Sequence, residues 1–346
     1  MLNAVEHPSL VIFSMSAPIW VVLGFMLLIA DFFFLRKMCV WLSVCFAICL
    51  PLAFNLFPLN IPRGKVFKDI EKSAWTLLSY NISNYFDLTD NYPGDVSPGV
   101  SYLLRTNADV VVLAEAQYTM PIKATHFTQE QMDSLKSLYP YIIVGNDITL
   151  LSKFPAEEFD IPSFPKQLFN KSRAESKAAA FMLNIHGEKT IIIGLHLQSL
   201  GLTQNDKDLY RDFTKGEAFM SKMEIKEVKK DLIDKISRAN LQRACAVDSL
   251  SSFISALPGN DNLIVCGDFN DTPGCYAIRE LQNLGLREAF PLTGTGYMFT
   301  YNKDRLLFQI DHVMFRGKLR PWSIHRGNLR SSDHFPLLVT FIPEKA

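Results

Sequence analysis

The stretch Leu263–Pro273, LIVCGDFNDTP, places a short apolar run directly before a glycine and three polar residues. Leu263–Cys266 is apolar throughout, which is typical of a strand buried on both faces. Asp268, Asn270 and Asp271 then follow. Such residues commonly form turns because they tolerate tight backbone geometry. Carboxylates and an amide on a rigid strand end can also hold a cation or a phosphate, and the rest of the chain decides between the two interpretations.

Similar runs recur from Ser73 onward. Short β-rich segments alternate with helical stretches, which predicts one mixed α/β domain over residues 73–346. The segment 206–256 has apolar residues at helical spacing and many charged residues between them, so it predicts a helix with a solvated face. The predicted strands are 75–82, 109–116, 141–152, 178–185, 190–197, 263–269, 308–315 and 336–342.

Polar side chains that can bind a metal or a phosphate lie at or near the ends of these predicted strands. Each of them alone has an ordinary structural explanation, since a strand-end Asn can cap a turn and a lone His is often hydrogen-bonded in a core. Proteins of the α/β class build active sites where residues from several strand ends meet. The repetition in one domain therefore indicates an active site. The residues are Asn81, Glu115, His196, Asp268, Asn270, Asp311, His312, Asp333 and His334.

The order of these motifs resembles the endonuclease/exonuclease/phosphatase superfamily over about residues 75–342, and in particular its membrane-anchored bacterial members. TLLSKFP (149–155) also fits the strand that those members carry between the Glu and His motifs. The resemblance implies a four-layer α/β-sandwich, in which two packed mixed β-sheets are flanked by helices. The motifs are SYN (79–81), LAE (113–115), GLHLQS (194–199), GDFNDTP (267–273), IDH (310–312) and SSDHFP (331–336).

The resemblance further implies a metal-dependent phosphoesterase that uses Mg²⁺, with Mn²⁺ as an alternative. Glu115 would be the principal metal ligand, helped by Asn81 directly or through water. Asp333 would be a further ligand or an acid behind the first ligands. These hard oxygen donors suit Mg²⁺, which is usually held by one or two carboxylates and keeps several waters.

The remaining motif residues would serve catalysis, again as the resemblance implies. Asp268 would orient or deprotonate the attacking water, and Asn270 would hold a phosphate oxygen. His334 and His196 would face the phosphate, and Asp311 would orient His334 or the metal. Phosphodiester hydrolysis needs an activated water, a cation on the phosphoryl oxygens and stabilisation of the leaving oxygen, and residues of these types supply all three.

Composition leaves the substrate open. From residue 69 onward the chain has 30 Lys and Arg against 33 Asp and Glu, and no aromatic and basic run offers a base-stacking platform. A nuclease usually presents a basic stripe, because backbone phosphates dominate its affinity. The substrate remains a nucleic acid, a phospholipid headgroup or a small phosphodiester or phosphomonoester. The inositol phosphatase subgroup is disfavoured, because no Trp-Thr-Asp-Arg-like segment occurs late in the chain.

A catalytically silent binding or scaffolding protein on the same fold is the alternative of a different class. A scaffold would be free to lose Glu115, Asp268 or His334, whereas here every expected position holds a competent residue. The sequence predicts no protein partner. The six cysteines show no paired spacing and predict no disulfide framework.

The first 60 residues are strongly apolar. Ala17–Leu35, with an apolar run back towards Leu10, and Val40–Leu59 each have the length for a bilayer crossing, with Pro51 a predicted kink. We expect residues 1–62 to form a membrane anchor of two transmembrane helices, about 10–35 and 40–59, that contacts lipid through residues 10–59, with a basic linker at 63–72. A buried helical hairpin is the alternative, and a secretory signal is disfavoured because no Lys or Arg precedes the apolar region.

Charges near the two spans give opposing signals for orientation. Arg36 and Lys37 lie between the spans and place that turn in the cytoplasm, with both termini outside. Opposing this, four basic residues follow the second span, Arg63, Lys65, Lys68 and Lys72. The resemblance favours an integral protein of the bacterial inner membrane with its catalytic domain on the outer, periplasmic side.

Overall fold

The computed structural model describes residues 7–35, 39–61, 63–64, 71–85, 96–116, 128–161, 176–201, 222–259, 261–303 and 307–344. Within them, two six-stranded sheets carry the fold. From edge to edge the first sheet contains β11 (Leu319–Arg326), β12 (Leu337–Pro343), β1 (Trp75–Asn81), β2 (Val110–Ala114), β4 (Ile148–Ser152) and β3 (Tyr141–Val144). The second contains β5 (Ala156–Phe159), β6 (Lys177–Ile185), β7 (Glu188–His196), β8 (Asn262–Asp268), β10 (Asp311–Arg316) and β9 (Arg287–Glu288).

Each sheet has one parallel pair at its centre, β1 with β2 and β7 with β8, and antiparallel neighbours elsewhere. Both sheets are therefore mixed, as predicted. The two central pairs also contact each other across the space between the sheets. Because parallel strands end at the same edge, the carboxyl ends of all four strands can supply side chains to one place.

Some of the described helices cover the outer faces of the two sheets. The described helices are α1 (Val11–Met15), α2 (Ala17–Ala30), α3 (Cys39–Leu56), α4 (Pro98–Thr106), α5 (Gln129–Leu138), α6 (Lys222–Ala256), α7 (Tyr276–Asn283) and α8 (Ala289–Thr293). Alternate strand residues face opposite sides. Leu77 of β1 therefore lies in the core between the sheets, whereas Leu78 packs in the core under α4 and α5. A third core joins the second sheet to α6 and α7, which completes the expected four layers.

The structure corrects several of the predicted strands. Residues 141–152 form two strands, β3 and β4, because Gly145–Asp147 interrupts the apolar run. The strand predicted over 308–315 begins only at Asp311. Short or edge strands were missed, namely β5, β9 and β11, of which β11 contains Pro321 and a register shift beside it. The described part of segment 206–256 is helical from Lys222 to Ala256.

Gly267 explains why a glycine precedes the polar end of LIVCGDFNDTP. Its φ is +132°, in the region that side-chain-bearing residues rarely adopt, and a Cβ there would collide with the carbonyl oxygen of Leu195 on β7. The absence of a side chain lets β8 approach β7 closely. This brings the ends of the two strands, His196 and Asp268, into register.

The first N-terminal helices are bent relative to each other. Among the described residues no single helix is both long and apolar enough to cross a bilayer. The pair Pro8–Met15 and Ala17–Phe33, with a bend of 50° between them, is long and apolar enough when both helices are taken together. The segment expected as the second span, 40–59, forms α3, which continues through Pro51 but, in its described part, is not long and apolar enough to count as a span.

Helices α1 to α3 form an N-terminal hairpin, and both of its ends contact the α/β domain. Asn240 Nδ2 donates to Pro8 O at 3.0 Å, and Thr272 Oγ1 lies 3.5 Å from Ser14 O. At the other end Asn60 Nδ2 donates to two carbonyl oxygens in the segment 291–294, at 3.0 and 2.8 Å. Leu56 is fully buried. The hairpin therefore forms part of the packed structure at its base.

Candidate active site

Four of the sequence-predicted residues come from the ends of the central parallel strands. Asn81 ends β1, His196 ends β7 and Asp268 ends β8, while Glu115 directly follows β2. Asn81 Nδ2 donates to Glu115 Oε1 at 3.0 Å and to Asp268 Oδ2 at 3.1 Å. One amide thus joins carboxylates from both sheets, and the strand ends meet as the sequence predicted.

Asp311 and His334 complete the buried side of the site. Asp311 lies directly opposite Asp268 in the antiparallel pair of β8 and β10. His334 precedes β12, with Nδ1 2.8 Å from Asp311 Oδ2 and Nε2 3.5 Å from Asp268 Oδ2. All three residues are at most 5% exposed, and their ligand atoms lie within 4.8 Å of one another.

His196 has a similar arrangement on the more open side. Its Nδ1 lies 2.8 Å from Asp147 Oδ2, and its Nε2 lies 3.6 Å from Glu115 Oε1 and 3.9 Å from Asp268 Oδ2. Sequence reasoning missed Asp147, because the run 141–152 was taken as one strand. The signal was the tripeptide Gly-Asn-Asp inside that run, since such residues mark turns, and Asp147 indeed has a φ of +65°.

The last two predicted residues are placed differently. Asn270 has its backbone N–H 2.8 Å from Asp268 Oδ1, and its side-chain amide donates to Leu197 O at 2.9 Å. Asp333 is held through its carbonyl oxygen, which accepts from Asn302 N at 3.0 Å. Among the described residues, the Asp333 carboxylate makes none of the hydrogen bonds that connect the others. The structure thus brings six of the eight side chains with predicted roles into one connected group, and Asn270 joins that group through its backbone N–H.

One serine and one tyrosine that were not predicted as site residues, or only as part of a motif, support this group. Ser332 Oγ donates to Asn81 O at 2.8 Å and accepts from His334 N at 3.1 Å, so it ties the end of β1 to the His334 segment. The Tyr301 ring lies edge-on to His334 at 5.3 Å. Serine side chains commonly bond to nearby backbone, so Ser331 and Ser332 before Asp333 were the available signal.

Burial and neighbouring charges shift the pKa values of Asp268 and His334. Burial raises the pKa of Asp268 to about 6, with His334 opposing the shift and Asp311 adding to it. Burial alone would lower the pKa of His334, but the charges of Asp311 and Asp268 outweigh it and raise that pKa to about 10. Near neutral pH the His334 imidazole is therefore protonated, while Asp268 is close to its own titration.

The pKa of His196 is raised in the same way. Burial acts to lower it, but the hydrogen bond to Asp147 and the charges of Asp268 and Glu115 raise it above its ordinary value. Both imidazoles are thus held at Nδ1 by a carboxylate and direct Nε2 towards Asp268.

The donor set fits a hard divalent cation. Glu115, Asp268 and Asp311 supply carboxylate oxygens, the type of ligand that Mg²⁺ prefers. The Glu115 side chain is 32% exposed, so a cation bound there would keep water ligands, as Mg²⁺ usually does. The Asp311 carboxylate is already occupied by His334, which makes Glu115 the more accessible ligand of the group.

The chain is similar to a known protein family in sequence and to known proteins in structure. The chain matches the Endonuclease/Exonuclease/phosphatase family over residues 78–334. Among curated proteins, none matches this chain in sequence. The structure of an endonuclease/exonuclease/phosphatase from Beutenbergia cavernae is 13% identical, and the match covers 79% of this chain and 72% of that chain with a TM-score of 0.52. This likeness shows a shared fold.

Two further structures have lower scores. Truncated TDP2 from Caenorhabditis elegans is 18% identical, with 79% of this chain and 100% of that chain covered and a TM-score of 0.48. Beta toxin from Staphylococcus aureus is 15% identical, with 77% and 99% covered and a TM-score of 0.49. The family match spans most of the chain and includes the strand-end residues from Asn81 to His334. The chain belongs to the endonuclease/exonuclease/phosphatase family.

Proposed function

We propose that the chain is a divalent-metal-dependent phosphoesterase that hydrolyses phosphodiester bonds by attack of water. One observation carries the proposal: a single buried carboxylate oxygen, Asp268 Oδ2, lies 3.1 Å from Asn81, 3.5 Å from His334 and 3.9 Å from His196. A base surrounded by an amide and two imidazoles can accept the proton of an attacking water while donors face the charge that develops on the phosphate. Phosphomonoesters are the alternative substrates at the same centre.

Asp268 acts as the base towards the attacking water. Its pKa of about 6 leaves it mostly ionised at neutral pH, yet basic enough to accept a proton. Asn81 and the Asn270 backbone N–H each donate to this carboxylate, at 3.1 and 2.8 Å, and fix its orientation.

His334 and His196 stabilise the phosphate. In each imidazole Nδ1 is bonded to a carboxylate, of Asp311 or Asp147, at 2.8 Å. The Nε2–H groups are then both free to donate to phosphate oxygens on the Asp268 side. A protonated imidazole placed where negative charge develops lowers the barrier to the reaction.

Glu115 holds the cation, with Asn81 beside it. When bound, Mg²⁺, or Mn²⁺ as the alternative, would offset the negative charge on the phosphoryl oxygens. Substitution of Glu115 by Gln removes the charged ligand, so we expect weaker Mg²⁺ binding by calorimetry. Glu158→Gln, an exposed change on β5, is the matched control and leaves binding unchanged.

The N-terminal hairpin holds the enzyme at a membrane through residues 10–59. Support comes from the many large apolar side chains that α2 and the turn after it expose, because soluble monomers rarely expose apolar patches of this extent. The exposed residues include Ile19, Trp20, Leu23, Phe25, Met26, Leu27, Phe32 and Phe33. Retention in the membrane pellet after carbonate extraction supports the anchor, and release into the supernatant contradicts it.

The catalytic domain faces the periplasm of a bacterial cell in this proposal. The basic pair Arg36–Lys37 between the two spans supports that orientation. Protease added to intact spheroplasts then cleaves the domain. Protection of the domain until the spheroplasts are lysed would place it in the cytoplasm instead.

The test of activity uses the full chain in detergent, because the base of the hairpin contacts Thr272 close to the site. Hydrolysis of bis-p-nitrophenyl phosphate, plasmid DNA and sphingomyelin vesicles is measured with Mg²⁺, with Mn²⁺ and with EDTA. We expect metal-dependent hydrolysis that Asp268→Asn lowers by at least about a hundredfold, while Glu158→Gln retains it.

The preferred substrate separates the three classes, since DNA cleavage indicates a nuclease and vesicle hydrolysis a lipid phosphodiesterase. Equal rates for the parent and Asp268→Asn would refute the assigned base. A folded protein that hydrolyses none of the three and binds no Mg²⁺ would favour the scaffolding alternative.

A further inference from the structure

A buried ion pair lies behind the loop that carries Asp268 and Asn270. Arg243 of α6 and Asp271 are each 1% exposed, and Arg243 Nη2 lies 3.5 Å from Asp271 Oδ1. Among the described residues, Nε and Nη2 of Arg243 have no hydrogen-bond acceptor. Moving both charges out of water is costly, and apolar residues in place of such a pair are often as stable or more so. Stability alone therefore does not explain why the pair is there.

Arg243 contacts two loops at once. Besides the Asp271 carboxylate, it reaches the segment after β7, where its Nη1 donates to Gln198 O at 3.0 Å. That segment begins two residues earlier with His196, while Asp271 lies three residues after Asp268. One guanidinium thus connects the loop that follows His196 to the loop that follows Asp268.

The second loop is held at other points as well. The backbone carbonyl of Asp271 lies 2.9 Å from His312 Nε2, and His312 Nδ1 lies 2.6 Å from Glu288 Oε1. Asn270, just before, has a φ of +50°, in the left-handed region that Asn adopts more readily than most residues with a side chain. This conformation suits the tight turn between Asp268 and Asp271.

We propose that Arg243 is a positioning residue of the active site, which fixes the loops after His196 and Asp268 relative to each other through Gln198 and Asp271. Its polar contacts among the described residues are to Gln198 and Asp271 and not to a group of the site itself. Its guanidinium carries N–H donors on two separate terminal nitrogens, an arrangement that a single ammonium group lacks. This inference rests on the proposed function, because the two loops present the proposed base and one phosphate-binding imidazole.

Three variants separate positioning from stability. Arg243→Met leaves Asp271 buried without a partner, so both the melting temperature and kcat fall. In Arg243→Met with Asp271→Asn no charge is left unpaired, so we expect the melting temperature to return close to the parent value. The bridge is still absent, so kcat stays down by about a hundredfold, the size expected for a displacement of about 1 Å, while KM stays within about twofold.

Recovery of kcat together with melting temperature in the double variant would overturn the proposal. Arg243→Lys is the conservative variant, since it keeps the charge but cannot bond both loops. Compared with Arg243→Met, we expect its melting temperature to recover more than its kcat. Arg238→Met, an exposed position on the same helix, is the matched control and changes neither quantity. Loss of kcat in that control would also refute a specific role for Arg243.

Amide hydrogen exchange gives a readout that does not depend on catalysis. In the double variant we expect faster exchange in peptides covering 195–201 and 263–273, at a melting temperature close to that of the parent. Unchanged protection in both peptides would overturn the bridge even if activity fell. Faster exchange in a chain that hydrolyses no substrate would uphold the bridge and refute the proposed function, so the two failures are distinguishable.

Discussion

Two Asp-His dipeptides, Asp311–His312 and Asp333–His334, look alike in the sequence and face opposite ways in the structure. In the first, Asp311 enters the site, while His312 bonds to Glu288 and to the Asp271 carbonyl at 2.6 and 2.9 Å. In the second, it is the histidine that enters. The two inward members bond to each other, since His334 Nδ1 lies 2.8 Å from Asp311 Oδ2.

For the first dipeptide, the comparison shows that strand register selects the functional member. Asp311 and His312 are neighbours on β10 and point to opposite faces, so only one of them can reach a given side. Asp311 lies opposite Asp268 in the register of β8 and β10, and His312 lies opposite Gly267. Residues directly opposite each other share a face. Asp311 therefore shares the site face with Asp268.

The largest expected effect comes from breaking the inward pair at His334. In His334→Ala the phosphate loses a protonated donor and Asp311 and Asp268 lose a shared partner. We expect kcat to fall by about a hundred to ten thousandfold, with the fold retained by circular dichroism. Steady-state kinetics on bis-p-nitrophenyl phosphate measures this, and nearly full activity would show that the inward histidine is not catalytic.

The pH dependence of kcat/KM tests the same pair, Asp311 and His334. Since Asp268 must be ionised and His334 protonated, kcat/KM should rise as pH passes about 6 and fall as it passes about 10. Asp311 is the largest cause that raises the pKa of His334, so Asp311→Asn should move the upper limb to lower pH. An upper limb that stays in place in Asp311→Asn would show that another group sets it.

The same shift affects stability, with a sign that follows from linkage. The folded state raises the pKa of His334 from 6.5 to about 10, so it binds the proton more tightly than the unfolded state. The stabilising contribution is complete below about 6.5 and is lost as the pH rises towards about 10. Thermal unfolding of the parent and of Asp311→Asn across this range should show a smaller loss in the variant.

Many of the strands and the position of the site could be predicted because local sequence patterns indicate them. Continuous apolar runs such as that before Asp268 predict buried strands, and polar residues at their ends predict a site at one edge. Asp147 could not be found this way, because its turn is short and its partner, His196, is distant in sequence. Edge strand β11 was missed since Pro321 argues against a central strand.

The outward member of the first dipeptide should affect stability more than activity. In His312→Gln the buried Glu288 carboxylate loses its 2.6 Å partner, so the free energy of unfolding should fall by about 1–3 kcal/mol. Among the described residues, His312 makes no hydrogen bond to a catalytic side chain and meets the loop after Asp268 at the Asp271 carbonyl, so kcat should change by less than about tenfold. Denaturant unfolding and kinetics on the same preparation test both. A loss of kcat as large as in His334→Ala, with unchanged unfolding, would contradict the assignment of His312 to the outer side.

The smallest effect is expected at Asp333, the outward member of the second dipeptide. Its carbonyl is held by Asn302, and in the described part of the chain its carboxylate makes none of the hydrogen bonds within the site. It still adds negative charge near His334, where it is among the causes that raise that pKa. Asp333→Asn should therefore lower kcat by less than about tenfold and move the upper pH limb slightly downward. A loss as large as in Glu115→Gln, together with weaker Mg²⁺ binding, would instead make Asp333 a metal ligand, as the sequence predicted.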